Sequence, residues 1–359
     1  MYNRLDDQDV STKETLEQFI RDWDELSAAI YEVRMSSYVD MTSDTNNEKY
    51  EANYNKVVEE VLPVGEQRDF NLKRKLVASP AIDQLGDEYD VFLRQVRAEM
   101  EIFREENVPL QTEERKLDQE FQKLSGNQTV EFRGTTYTMA QLNPFLEQTD
   151  RQTREEAYRA RAEVKLADAA KFDEIFDKMY EVRAQIARNS GFDNYRDYKF
   201  KELKRFDYTP EDCESFHNAI EKHVVPVVAQ NNERRTRLLG IDTLRPWDLQ
   251  VDAEGKEPLT PFKDVEELKE GCERIFNKID PELGTYFRQM MEDNLLDLEN
   301  RPGKAPGGYM DAFAATQVPF IYMNAVGTHR DVETLLHEGG HSFHYFLSRK
   351  LPLFNYQLT

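Results

Sequence analysis

Apolar positions recur three or four residues apart over long stretches of this chain. Leu16, Phe19, Ile20, Trp23, Leu26, Ile30 and Val33 make one stripe, the pattern of a helix that buries one face. Tyr89, Phe92, Leu93, Val96, Met100 and Phe103 repeat it. The intervening positions are Glu, Asp, Arg, Lys and Gln, and helical patterning continues through residues 151–190. The stripes do not hold a strict heptad across breaks and no fixed-period repeat exists, so a globular fold is expected rather than a coiled coil. Two segments interrupt the helices. Residues 129–139 alternate β-formers around Gly134 and predict a short hairpin. The segment Arg301-Pro302-Gly303-Lys304-Ala305-Pro306-Gly307-Gly308 predicts a loop, and Val318-Pro319-Phe320-Ile321-Tyr322-Met323-Asn324 after it a strand. The early proline in that strand favours a sheet edge. The fold class is therefore mainly α, a multi-helix protein with a small β-sheet or hairpin.

Composition narrows the function. The 359 residues suggest about two domains and carry 47 Lys+Arg against 69 Asp+Glu, a formal charge of −22. A surface this acidic is a poor partner for nucleic acid or anionic membranes and reads as a well-solvated exterior. Two cysteines, Cys213 and Cys272, make no disulfide framework and suit a reducing compartment. The opening residues lack a basic region followed by an apolar core, and no run approaches the roughly 18 apolar residues of a membrane span. A cytoplasmic location is the expectation. Asn127-Gln128-Thr129 matches a glycosylation sequon but carries no meaning without a secretory signal.

The chemistry lies in Leu335-Leu336-His337-Glu338-Gly339-Gly340-His341-Ser342-Phe343-His344. His337 and His341, four apart on a helix, project from one face and can share a metal ion. Glu338 follows the first ligand, where a carboxylate reaches a metal-bound water as general base. Zinc suits two neutral imidazoles. Thr328 and Asp331 form a capping box at the helix start, and Val332, Leu335, Leu336, Phe343, Phe346 and Leu347 supply a buried stripe. Gly339 and Gly340 each cost about 1 kcal/mol relative to alanine inside a helix. Such a cost points to close approach of another backbone, a ligand or the metal's surroundings, or to tight helix packing. His344 extends the series, but seven residues of helix rise about 10.5 Å, too far for three imidazoles to converge on one ion. It reads as a supporting or packing residue, and His329, His217 and His223 as ordinary ones.

With these residues in view, the chain resembles the oligoendopeptidase F group of thimet-oligopeptidase-type zinc metallopeptidases. The resemblance rests on Gly303-Lys304-Ala305-Pro306-Gly307-Gly308-Tyr309, on Pro319-Phe320-Ile321-Tyr322-Met323-Asn324 and on Asp331-Val332-Glu333-Thr334-Leu335-Leu336-His337-Glu338-Gly339-Gly340-His341. Leu244-Arg245-Pro246-Trp247-Asp248 and the hairpin followed by Leu142-Asn143-Pro144-Phe145-Leu146 add weaker support. It implies a zincin-like fold with a substrate channel and a small sheet beside the active helix, in two parts: an N-terminal helical region, 1–125, and a catalytic domain, 126–359. It implies cleavage of oligopeptides, one Zn2+ on His337 and His341, and Glu338 activating water. Phe320, Ile321, Tyr322, Met323 and Asn324 would be an edge strand that pairs with substrate backbone, and Tyr309 would line the cleft. The group's third zinc ligand is a glutamate downstream of the histidine motif, followed by oxyanion-stabilising residues. No Asp or Glu follows Glu338 in this chain. The expectation is a catalytic domain incomplete at its C-terminal end, with the third ligand beyond Thr359, weak zinc binding and little activity as written. The competing reading is a non-catalytic helical peptide-binding or scaffold protein.

Overall fold

A computed structural model describes residues 1–357. The N-terminal helices are α1 (Tyr2–Asp7), α2 (Lys13–Ser43), α3 (Glu48–Lys56), α4 (Leu62–Val77), α5 (Asp90–Ile102) and α6 (Val108–Gly126). A hairpin of β1 (Thr129–Phe132) and β2 (Thr135–Thr138) follows, then α7 (Asn143–Glu147), α8 (Arg151–Ala167), α9 (Ala169–Asn189), α10 (Tyr195–Glu202), α11 (Pro210–His223) and α12 (Val225–Leu239). The last part is α13 (Val265–Ile279), α14 (Pro281–Glu292), β3 (Leu296–Glu299), β4 (Tyr309–Phe313), β5 (Val318–Ala325) and α15 (His329–Ser348). The mainly helical class, the hairpin and the small sheet are as the patterning predicts.

The long α2 shows how one stripe serves two cores. Leu16, Phe19, Ile20, Trp23 and Leu26 are buried against Leu72, Leu76, Phe92 and Val96. A 31-residue helix is roughly 46 Å long and outruns that core. Farther along, the buried side rotates to Met35 and Met41, the latter packing with Tyr54, Val57 and Val58. Val33, expected to continue the stripe, falls between the two and is 48% exposed.

The strand 318–325 is not an edge. Its sheet has the order β3-β5-β4, so β5 is central, parallel to β3 and antiparallel to β4. Pro319 misled because its missing N–H matters only on one side. The Ile321 N–H donates to the Leu295 carbonyl, 2.9 Å away, so strand alternation turns the Pro319 nitrogen the same way. Pairing with β3 begins only at Leu296↔Ile321, and the proline interrupts no ladder bond. The edges are β3 and β4, and on β4 the Ala312 N–H donates to Asp311 Oδ1 at 2.7 Å rather than to a strand.

One face of this sheet meets α2. The Tyr31 hydroxyl donates to Asp311 Oδ1 at 2.6 Å, and Thr42 Oγ1 lies 2.9 Å from the Tyr309 hydroxyl. The other face packs on α13, α14 and α15 through Phe276, Phe287, Met290, Ile321, Phe343 and Phe346. The sheet is thereby sandwiched between the first long helix and the helix that carries the histidines.

Candidate active site

The helix α15 is fixed at its start by one carboxylate. Asp331 Oδ2 accepts the Val326 N–H at 3.0 Å, the Thr328 N–H at 2.8 Å and the Thr328 hydroxyl at 3.0 Å. This locks the turn from β5 into the helix and satisfies donors that a helix entrance leaves free. Leu335, Phe343 and Phe346 are buried and Val332 and Leu336 partly so, as expected. Leu347 is instead 60% exposed, one residue past the buried face.

On the opposite side His337 and His341 are both exposed, with ring centroids 4.8 Å apart and planes at 87°. Their Nε2 atoms lie 3.2 Å apart. Two nitrogens each about 2.0–2.1 Å from one zinc ion in a tetrahedral site are about 3.3 Å apart, so the pair fits two corners of such a site. Glu338, between them in sequence, is buried, at 9% exposure. Among the described residues, no group of three or more His, Cys, Asp or Glu side chains gathers where a metal ion could be held. His344 is exposed, which removes the packing alternative for it. His217 and His223 are surface residues of α11, and His329 Nδ1 lies 3.7 Å from Glu333.

The two glycines of the motif have different causes. A Cβ at Gly339 would sit 2.6 Å from Phe276 Cζ, whereas one at Gly340 would meet nothing within 4 Å. Helix packing explains the first. It rests on the Phe276 ring, which lies edge-on to Phe343 at 4.7 Å and against Phe287 at 5.1 Å.

Phe320, Ile321, Tyr322, Met323 and Asn324 do not form an open substrate edge. All but Asn324 are buried, and the backbone is paired on both sides at Ile321 and Tyr322. The Tyr322 hydroxyl lies 2.6 Å from the Ala305 carbonyl and 2.9 Å from that of Thr42. Asn324 Nδ2 donates to the Ala305 and Gly307 carbonyls, both at 2.9 Å. These side chains hold the glycine-rich loop. Lys304 works toward the same end, its buried ammonium donating to Asp297 Oδ1 at 2.9 Å and to the Met323 carbonyl at 2.6 Å. Gly303 has φ +79°, and a side chain there would meet Asn46 Nδ2 at 2.8 Å. Tyr309 is the first residue of β4, stacked on Tyr322 at 4.8 Å and held by Thr42, with burial pushing its hydroxyl pKa well up. It belongs to the joint between α2 and the sheet.

Sequence reasoning missed β3, β4 and the rim that β4 presents. Tyr309, Asp311 and Phe313 alternate with Met310 and Ala312, a period-two signal that the neighbouring glycine loop obscured. Elsewhere, Asp248 of the Leu244–Asp248 motif proves structural. It is fully buried and accepts from Arg151 Nη2 at 2.9 Å and Arg154 Nη2 at 3.1 Å, which together with the Arg245 N–H holds its carboxyl below the usual range against the opposing effect of burial. Cys213 and Cys272 are free thiols, and burial pushes the Cys272 thiol up to about 11.

The site is thus a helix-borne histidine pair with an interleaved carboxylate beside a small mixed sheet. Residues 145–357 match the model of peptidase family M3, and residues 3–103 that of the peptidase M3 N-terminal domain. The chain belongs to peptidase family M3 and is oligoendopeptidase F-like. It is similar to oligopeptidase A of Escherichia coli K12, 28% identical over 264 residues that span 57% of this chain and 38% of the relative. It is also similar to an oligoendopeptidase F homolog of Lactococcus lactis, 28% identical over 178 residues that span 48% of this chain and 27% of that one. Among solved structures, PZ peptidase A with an inhibitor superposes with a TM-score of 0.93 at 31% identity over 99% of this chain and 63% of that chain. A putative oligoendopeptidase F from Bacillus anthracis gives 0.94 at 25% identity over 99% and 66%. The chain thus spans less than two thirds of the length of each.

Proposed function

We propose that this chain serves as a zinc endopeptidase acting on short oligopeptides, with His337 and His341 as metal ligands and Glu338 as general base. The observation that carries the reading is the 3.2 Å approach of the two Nε2 atoms on a helix pinned by Asp331. A zinc ion, when bound, supplies electrophilic activation of a peptide carbonyl and of water. Glu338 takes the proton of the attacking water and returns it to the leaving amine. Substrate backbone is aligned by the edge strand β4 in place of β5, a mode that gives affinity without strong sequence preference. We assign residues 1–125 to a helical region that walls the substrate and residues 126–359 to the catalytic part. The free thiols favour a reducing, cytoplasmic setting, and no described helix is long and apolar enough to cross a membrane.

Two imidazoles alone hold zinc weakly compared with a three-ligand site. No third ligand stands with them among the described residues. The chain by itself is therefore expected to bind zinc loosely and to hydrolyse peptides slowly. Zinc titration of the purified chain against its His337→Ala variant tests this. Weak binding, little stronger than the variant's, is the expected result. Tight one-to-one binding lost in the variant would show that the chain completes its own site. Whatever hydrolysis the chain shows should vanish in Glu338→Gln, and undiminished hydrolysis would remove Glu338 from its role.

A further inference from the structure

Two cavities of about 350 Å³ and 290 Å³ lie beside one another, the first lined by the N-terminal helices and the second also by α9 and β4. Arg34, Leu62 and Arg115 line both, and so form the wall where the two meet. The second cavity reaches Asp311 on β4, one of the sheet's two edge strands. A channel of this kind needs a group at which a bound peptide stops or turns, and the cations around it differ in one respect. Lys73 contacts Asp69 and Glu99 at 2.5 and 2.7 Å, Arg183 contacts Glu114 at 2.7 Å, and Arg115 contacts Glu66 at 2.6 Å. Arg34 makes no ion pair with any described residue, in a chain with 22 excess negative charges.

Its position is nevertheless defined. The guanidinium carbon lies 4.6 Å over the Tyr31 ring, and the Tyr31 hydroxyl is tied to Asp311 at 2.6 Å. Beside it, Arg115 uses Nη2 on Glu66, while its Nη1 is buried with no partner. A half-buried guanidinium beside a second arginine with an unused, buried N–H donor, both residues lining the two cavities, matches the charge-assisted chemistry of a carboxylate. Two of the cavity's own carboxylates, Glu114 and Asp311, are already engaged by Arg183 and Tyr31. The third carboxylate of the second cavity is Asp118, whose carboxyl pKa burial raises.

We propose that Arg34, assisted by Arg115, is the binding site for a carboxylate of the peptide that lies along β4. The ligand chemistry is a free carboxylate, from the peptide C-terminus or from an acidic side chain. This rests on the peptidase reading, and the test separates the two. Binding is measured by fluorescence anisotropy on the Glu338→Gln chain, where turnover is blocked. The probes are a labelled hexapeptide with a free C-terminus, the same peptide amidated, and a version with its one Glu replaced by Gln. The pair is charge-assisted, so removing the correct carboxylate should weaken binding by about tenfold or more. Loss on amidation identifies the C-terminus, and loss on Glu replacement identifies the side chain. Adding Arg34→Gln should erase the discrimination, and Arg34→Lys should retain part of it. The thermal midpoint of each variant reports its fold, and if Arg34→Gln unfolds, Arg34→Lys decides by its reduced discrimination. Peptides that bind equally with and without their carboxylates, or discrimination that survives Arg34→Gln, would overturn this inference and leave the peptidase reading in place. Absence of binding by all three peptides would overturn both.

Discussion

The helices α11 and α15 begin in the same way and end up in different surroundings. In each, a threonine is followed three residues later by an aspartate. The Thr209 N–H and hydroxyl donate to Asp212 Oδ2 at 2.8 and 3.0 Å, and those of Thr328 donate to Asp331 Oδ2 at the same two distances. Yet α15 buries Leu335, Phe343, Tyr345 and Phe346, while α11 buries no residue and leaves Phe216 65% exposed. A capping box is a local device that sets where a helix starts. It carries no information about what the helix will pack against. In α15 the answer comes from Phe276 and Phe287 across the core.

The largest test of this contrast removes the ring on which α15 rests. Phe276→Ala should cost about 3–5 kcal/mol, the usual range for emptying a buried aromatic site, measured by urea unfolding. Phe216→Ala on α11 should stay within about 0.5 kcal/mol. Similar costs at the two positions would mean that α11 is covered in solution. A finer test uses the adjacent glycines. Gly339→Ala forces a methyl against Phe276 and should destabilise by about 1–3 kcal/mol. Gly340→Ala meets open space and should stabilise by up to about 1 kcal/mol. Combining Gly339→Ala with Phe276→Ala should cost less than the sum of the single changes, since each relieves the other's fault. The smallest effect concerns the caps themselves. Asp331→Ala should cost about 1 kcal/mol or somewhat more, because its carboxylate also holds the Val326 N–H. Asp212→Ala, at a fully exposed box, should lower the thermal midpoint less. An equal shift from both would show that the strand-to-helix turn adds nothing to α15.

Legibility followed the range of the interaction. The helical stripes at Leu16–Leu26 and Phe92–Val96 were readable because a 3.6-residue period is a property of neighbouring residues. The stripe failed at Val33, where α2 leaves one core for another, a change that depends on α3 and the turn after it. For β5, reading Pro319 as an edge signal was sound in general but incomplete. A proline excludes a partner on one side of one residue, and β3 pairs only beyond it. The glycine-rich loop was recognisable as a motif, but its work as a clamp joining α2, Asp297 and β5 is visible only when those segments are side by side.

The sequence by itself determined that His337, Glu338 and His341 share one turn of helix, that the helix starts at Thr328, and that the two imidazoles project from one face of it. Four-residue spacing on an α-helix dictates that geometry whatever surrounds it. The tertiary structure decided which strands became the sheet's edges, why Gly339 admits no side chain, and that Arg34 makes no ion pair with any described residue beside a cavity that reaches Asp311. Those outcomes depend on contacts between residues up to hundreds of positions apart, as between Tyr31 and Asp311, and no local period or propensity encodes them.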